Sequence, residues 1–377
     1  MSDVAAPPPG QPADDGRLDL VATGARFLRW CAIVIVTVLV AEVAARGATS
    51  GSTEEIRWYD AAAQQRIDLL DARGDSVEVA FAGTSAAWQA FVPSEFADVT
   101  GQRSINVGLA GAVPTVMGPW LVDEVAPRTS PDVVVWGLTP LDFAPEYGDL
   151  QEEAYESAVE TADGWLADLD RSASSVSTLV AWRRVLRSPS DLFGSGETQR
   201  AADLADAAAV TGPDGERVDF DVDVTPQGEA IQRSRLAGFD VDRHDVEAVT
   251  DAILELQADG ITVVLVEVPV PDRFVAQLPQ PDRDLAAARS AIVEIGEATA
   301  SDVILMGGAF GDTNFVDDIH VDAATAAQTT RWLGEILSGW ARSPAPADGA
   351  DPCGVVDVVD EFGFVIPIDV CRMATSR

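Results

Sequence analysis

The run VEVAFAGTSAAW, residues 77–88, decides how this chain is read. Its first seven residues are short, apolar and rich in strand formers, as suits a strand buried on both faces. It then leaves through Gly83, Thr84 and Ser85, where a helix should begin. Backbone N–H groups at such an exit can stabilise developing negative charge, and the serine hydroxyl faces the cleft. Working outward, four more short runs follow: SINVG (104–108), DVVVWGL (132–138), ITVVLVEV (261–268) and DVILM (302–306). Helix-like segments lie between them at about 115–126, 244–258, 280–299 and 322–341. Strands alternating with helices predict an α/β fold with a doubly wound, parallel five-stranded sheet and helices on both faces. Residues 143–243 become rich in Gly, Asp and Pro and lose periodicity, and they read as a long insertion between strands 3 and 4.

Composition bounds the partners. The 377 residues carry a net charge of −37, and every one of the 25 basic residues is arginine. This acidity argues against nucleic-acid binding, which needs a basic surface to meet phosphates. Residues 1–24 are rich in Pro, Ala, Gly and Asp and read as a disordered tail. Residues 25–46 read as a transmembrane signal anchor, with only Glu42 charged between Trp30 and Ala45. That stretch makes a helix of roughly 24 Å, slightly short for a ~30 Å hydrocarbon core, and Arg26, Arg29 and Arg46 can snorkel to extend it. Arginines ahead of the span favour a cytoplasmic N-terminus with the bulk of the chain extracytoplasmic. A cleaved signal peptide and a buried soluble helix are the less favoured readings. Residues 47–75 form a helical connector, 76–342 the main domain, 343–352 a linker and 353–377 a tail. Cys353 and Cys371 flank two β-rich runs around an EFG turn, so a hairpin brings them together. A disulfide there suits an oxidising compartment, in line with export; two free thiols are the alternative. Cys31, inside the span, is expected to be inert.

In an open parallel sheet, ligands bind beyond the carboxyl ends of the strands. Strand 1 ends in Ser85, strand 2 in Asn106 and Gly108, and strand 3 in Thr139 and Asp142. After strand 5 comes NFVDDIH, which holds His320, one of two histidines in the chain. A serine hydroxyl needs a base, and a carboxylate fixes the tautomer of an imidazole base. Asp317 stands three residues before His320 and can reach its ring. The pattern therefore predicts Ser85 as nucleophile, His320 as base and Asp317 as orienting acid, with Ser85 N–H and Gly108 N–H donating to an oxyanion. Asp318 is expected to be replaceable. Asp322 is expected to cap the last helix, and the acidic cluster is not expected to hold a metal. Asp142 is expected either to contact substrate or to cap a turn. His244 reads as an ordinary residue at a helix start. Taken singly, Ser85 reads as a helix N-cap and Gly108 as a turn glycine; their order along the chain gives them weight together.

The segments AGTS, NVGLAG, VVVWGLTPLDF and DDIH resemble the four blocks of the SGNH (GDSL-like) hydrolases, over about residues 76–342. SEFADVTGQRSINVGLAG and GITVVLVEVPVPDRF are similar to the membrane-anchored extracytoplasmic subset. That subset includes alginate O-acetyltransferase-like proteins and proteins of teichoic-acid D-alanylation. The resemblance implies a flavodoxin-like fold, no cofactor, and acyl chemistry on a cell-envelope polysaccharide, with an acyl donor and a membrane acyltransferase as further partners. Two blocks depart from the family. Gly83-Thr84-Ser85 stands for Gly-Asp-Ser, and Gly137-Leu138-Thr139-Pro140 stands where an Asn donates to the oxyanion, leaving Thr139 to donate. Loss of one such donor costs ~10²–10³ in rate. Three functions therefore remain: an envelope-glycan esterase or O-acyltransferase, a catalytically weak or inactive scaffold that assembles with a membrane complex, and a lipid esterase.

Overall fold

The computed structural model describes residues 58–145, 210–220, 233–342, 352–359 and 365–373, together with the pairs 29–30 and 37–38. Helix α1 (Trp58–Arg73) leads to strand β1 (Val79–Gly83), helices α2 (Ser85–Ala90) and α3 (Pro93–Thr100), and strand β2 (Ser104–Asn106). Helix α4 runs Pro114–Pro119, widens into a π turn over Trp120–Val125 and finishes as Ala126–Thr129. Strand β3 (Val133–Leu138) ends in a 3₁₀ turn, Pro140–Phe143. After the insertion come α5 (Arg243–Ala258), β4 (Thr262–Glu267), α6 (Asp272–Val275), α7 (Pro281–Thr299) and β5 (Asp302–Leu305). Helix α8 (Ala323–Arg342) precedes β6 (Cys353–Val359) and β7 (Val365–Cys371).

The strands form one sheet in the order β2-β1-β3-β4-β5-β7-β6. Its first five members pair in parallel. Every residue of β1 is buried. Side chains alternate between faces, so such a strand needs cover on both. Helix α8 packs against α2 and α3, while α5 packs against α4 and α7. Trp120, Trp136 and Trp332 are buried in the layers between.

The expected five-stranded sheet is corrected to seven strands. The C-terminal run is an integral edge of that sheet: β7 pairs antiparallel with β5, and β6 with β7. An uncovered β5 would present unpaired backbone groups, and the hairpin pairs them. Cys353 and Cys371 stand opposite each other in the β6–β7 register and form the expected disulfide. Replacing both with serine should lower stability by about 3 kcal/mol, the loop entropy restored to the unfolded chain. A denaturation midpoint unchanged in the full-length protein would show that strand pairing alone holds β7 in place.

Two glycines let α2 lie close against the sheet. Gly83 has φ +132°, and a Cβ there would fall 2.3 Å from Gly137 O and 2.6 Å from Ala87 Cβ. Gly137 is its register partner on β3, and a Cβ on it would lie 2.7 Å from Ala87 Cβ. The chain therefore turns sharply at the carboxyl end of β1, and Ser85 emerges at that end of the sheet.

The insertion is described at 143–145, 210–220 and 233–243, and its middle piece, 210–220, is a turn bridged by Thr211 and Arg217. It docks on the end of β2: Asn106 N–H donates to Asp214 O (2.8 Å) and Trp88 Nε1–H donates to Gly215 O (2.8 Å). The rest of the insertion, the N-terminal tail, the linker and most of the expected anchor lie outside the described residues. Among the described residues no helix is long and apolar enough to cross a membrane.

Candidate active site

Residues 315–321 form a closed turn between β5 and α8. Phe315 and Val321 bridge antiparallel, Val316 N–H donates to His320 O (2.9 Å), and Asp322 N–H donates to Asn314 O (2.9 Å). Within the turn, Asp317 Oδ1 accepts the backbone N–H groups of Ile319 (2.9 Å) and His320 (2.7 Å). Its Oδ2 meets His320 Nδ1 at 2.7 Å. The spacing of three residues thus lets one carboxylate hold both the backbone and the ring of the histidine. His320 Nε2 in turn lies 2.8 Å from Ser85 Oγ, across 235 positions of sequence.

Electrostatics set the proton positions in this chain of groups. Burial pushes the Asp317 carboxyl up, but the ring hydrogen bond and charge of His320 and the two backbone N–H groups outweigh it, holding it at about 2. Asp317 is therefore a fixed carboxylate at neutral pH. It accepts from Nδ1–H, which leaves the Nε2 lone pair facing the Ser85 hydroxyl. The arrangement can take the serine proton and stabilise the imidazolium that results. Ser85 itself is half-buried, open enough for a substrate to approach.

The second and third strand ends differ from expectation. Asn106 is fully buried: its Nδ2 donates to Trp88 O (3.0 Å) and Phe91 O (2.8 Å), and its Oδ1 accepts Gly108 N–H (3.0 Å). The Gly108 N–H, expected to face an oxyanion, is taken by this side chain, and Asn106 is structural. Thr139 is likewise engaged. Its N–H and its hydroxyl both donate to Asp142 Oδ2, at 2.6 and 2.7 Å. Asp142 closes a capping box on the 3₁₀ turn and is only 2% exposed. Burial pushes its carboxyl up to about 6, against hydrogen bonds from Thr139 and Thr84 that pull it down. Of the expected oxyanion donors, Ser85 N–H is left, in the first turn of α2, where N–H groups have no helical acceptor.

Asp318, expected to be replaceable, accepts Arg273 Nε–H (3.2 Å) and Gln277 Nε2–H (2.8 Å), which tie it to α6 and the residues just after it. Asp322 caps α8 through Thr325 N–H (2.8 Å), as expected. His244 donates its N–H to Asp242 at the start of α5. Among the described residues no His, Cys, Asp or Glu group has the arrangement of a metal site.

Three residues near the site carried no sequence signal. Trp88, one turn after Ser85, has the guanidinium groups of Arg66 and Arg217 at 5.1 and 5.6 Å from its ring centre. Arg66 comes from α1 and also donates to Gly108 O (3.4 Å); Arg217 comes from the insertion. Burial lowers the Arg217 pKa, and the charges of Asp219 and Asp317 work against that shift, so the insertion brings a cation within electrostatic reach of the site. No protein-family model matches this chain, and no curated protein matches it either.

Proposed function

We propose that this protein is an SGNH-type serine esterase or O-acyltransferase, anchored in the membrane by residues 25–46, acting outside the cytoplasm on acyl groups of a cell-envelope polysaccharide. The observation that carries the reading is the hydrogen-bonded line Ser85–His320–Asp317, assembled from the ends of β1 and β5. The order β2-β1-β3-β4-β5 supports it, because it is that of flavodoxin-like doubly wound sheets, which bind ligands at this end. The disulfide is in keeping with an oxidising compartment. In this reaction Ser85 Oγ attacks the acyl carbonyl as its proton passes to His320 Nε2. The ester C–O bond breaks, and the leaving oxygen takes that proton. Water or a sugar hydroxyl then gives its proton to His320 and attacks the acyl-serine, and Ser85 recovers its proton from the ring.

A second reading is favoured by a specific observation. The Gly108 N–H and the Thr139 hydroxyl are both committed inside the protein. A site short of oxyanion donors suits a weakly active or inactive scaffold that binds an envelope-modifying complex, a membrane acyltransferase among its partners. Labelling of the full-length protein with a fluorophosphonate probe separates the two. Covalent modification at Ser85, lost in His320→Ala, is the outcome for the enzyme; absence of labelling and of aryl acetate turnover is the outcome for the scaffold. With an aryl acetate as donor, acetyl transfer to added oligosaccharide in preference to water marks a transferase.

A further inference from the structure

The Asp317–His320 pair is self-contained, since every bond between the two residues lies within one turn. Its placement against Ser85 is not, because the turn must be held at a fixed position above the end of β1. One hold comes from the nucleophile's own helix: Gln89 Nε2–H donates to Val321 O (2.7 Å). The other side of the loop is held by Arg273 and Gln277. Arg273, on α6 beyond the end of β4, donates through Nη1 to Asp312 O (2.7 Å) and through Nη2 to Phe315 O (3.4 Å) and to Asp317 O. Its Nε–H reaches Asp318 Oδ1 (3.2 Å), and its backbone N–H reaches Asp312 Oδ1 (3.2 Å). Gln277, one turn along, holds the other oxygen of Asp318 (2.8 Å). Helix α6 rests on the core through Phe274, which is fully buried. A rigid planar fork of donors thus spans the carbonyls of the loop from Asp312 to Asp317, with Asp318 as its counter-ion.

We infer that Arg273 is the positioning residue that sets the register of the Asp317–His320 turn against Ser85, with Asp318 and Gln277 fixing the orientation of its guanidinium. This rests on the reading of Ser85, His320 and Asp317 as a catalytic set. Freed from Arg273, the turn keeps its internal Asp317–His320 bond and loses its alignment to a serine on another element. The expected defect is therefore specific: the dyad survives and its coupling to Ser85 is lost.

Two measurements on the full-length protein test this. First, Arg273→Gln should lower the rate of Ser85 phosphonylation by a fluorophosphonate ~10²-fold, the loss that a misplacement of about 1 Å brings, with Arg273→Lys intermediate. Second, the chain has two histidines, so the His320 ring is resolved by ¹⁵N NMR in a His244→Gln background. There, Ser85→Ala should shift the His320 Nε2 resonance with Arg273 present and leave it unmoved in Arg273→Gln, while the Nδ1 proton bonded to Asp317 persists in both. An equal Ser85→Ala shift in the two backgrounds, or an unchanged labelling rate, overturns the inference. If the parent protein does not label at all, the enzyme reading fails, and the NMR comparison still decides the role of Arg273. Should Arg273→Gln lose its fold by circular dichroism, Asp318→Asn carries the same comparison. It leaves the carbonyl contacts in place, so a smaller loss of coupling is expected, and no loss counts against the inference.

Discussion

Ser85→Ala is expected to abolish covalent labelling and to lower turnover of an activated ester by about 10⁴- to 10⁶-fold, and His320→Ala by a similar factor. The physical reason is that neither group works without the other. The hydroxyl is a poor nucleophile until the ring accepts its proton, and every proton the ring moves serves the making or breaking of the acyl bond to that hydroxyl. The double variant should be no worse than either single one, because the second substitution removes a group that has already lost its function. Asp317→Asn should cost ~10⁴ by favouring the wrong ring tautomer. Ser85 makes its side-chain hydrogen bond to His320 and is half-buried, so Ser85→Ala should leave the melting temperature nearly unchanged. A drop in activity that tracks a drop in melting temperature would point to a structural role for the residue, and the catalytic assignment would fall.

Asp142→Asn is expected to stabilise the protein above neutral pH, although it removes a buried residue that accepts hydrogen bonds. The carboxyl is raised from its ordinary value of 3.8 to about 6 by burial. A raised folded-state value means that the folded protein holds the proton more tightly than the unfolded chain. The associated stability is fully present below pH 3.8 and is lost as pH rises through 6. At pH 8 the loss is roughly 3 kcal/mol from a shift of about two pH units. Asparagine keeps an oxygen for Thr139 N–H and the Thr139 hydroxyl and never ionises. Urea midpoints of parent and variant should coincide below pH 3.8, separate as pH rises to about 6 and keep that gap at higher pH, with the variant more stable. A variant less stable at both pH values would show that the carboxylate form is the one the turn is built around. Asp317 works in the opposite sense. Its value is depressed to about 2, so its contribution is present above 3.8 and lost as pH falls through 2.

Much of this architecture was legible in one dimension, for reasons specific to its elements. Strands β1, β3 and β4 are short apolar runs buried on both faces, the last two rich in valine, and such runs stand out against amphipathic helices. The structure starts or ends them within two residues of the expected limits. Helix α3 went unnoticed because Pro93–Thr100 is brief and carries few apolar residues, with Phe96 as its buried anchor. The sequence shows 353–377 only as a hairpin-forming tail, because nothing local in CGVVDVV or VIPIDVC tells which edge they will join; that is set by the open side of β5.

Local patterns along the chain order β1–β5 and most of the helices between them, and they place Ser85 and the Asp317–His320 pair at the ends of buried strands. Both follow from local rules: hydrophobic period, the reach of a side chain over three residues, and the turn that Gly83 permits. Packing in three dimensions sets which hydrogen-bond donors remain available. The Gly108 N–H went to Asn106, the Thr139 hydroxyl to Asp142 and the Arg273 fork to the carbonyls of Asp312, Phe315 and Asp317. A hydroxyl or an N–H has one proton to give, and which acceptor takes it depends on distances that packing sets. Residue type at a motif position says what a group is able to do, and its neighbours in space settle what it does.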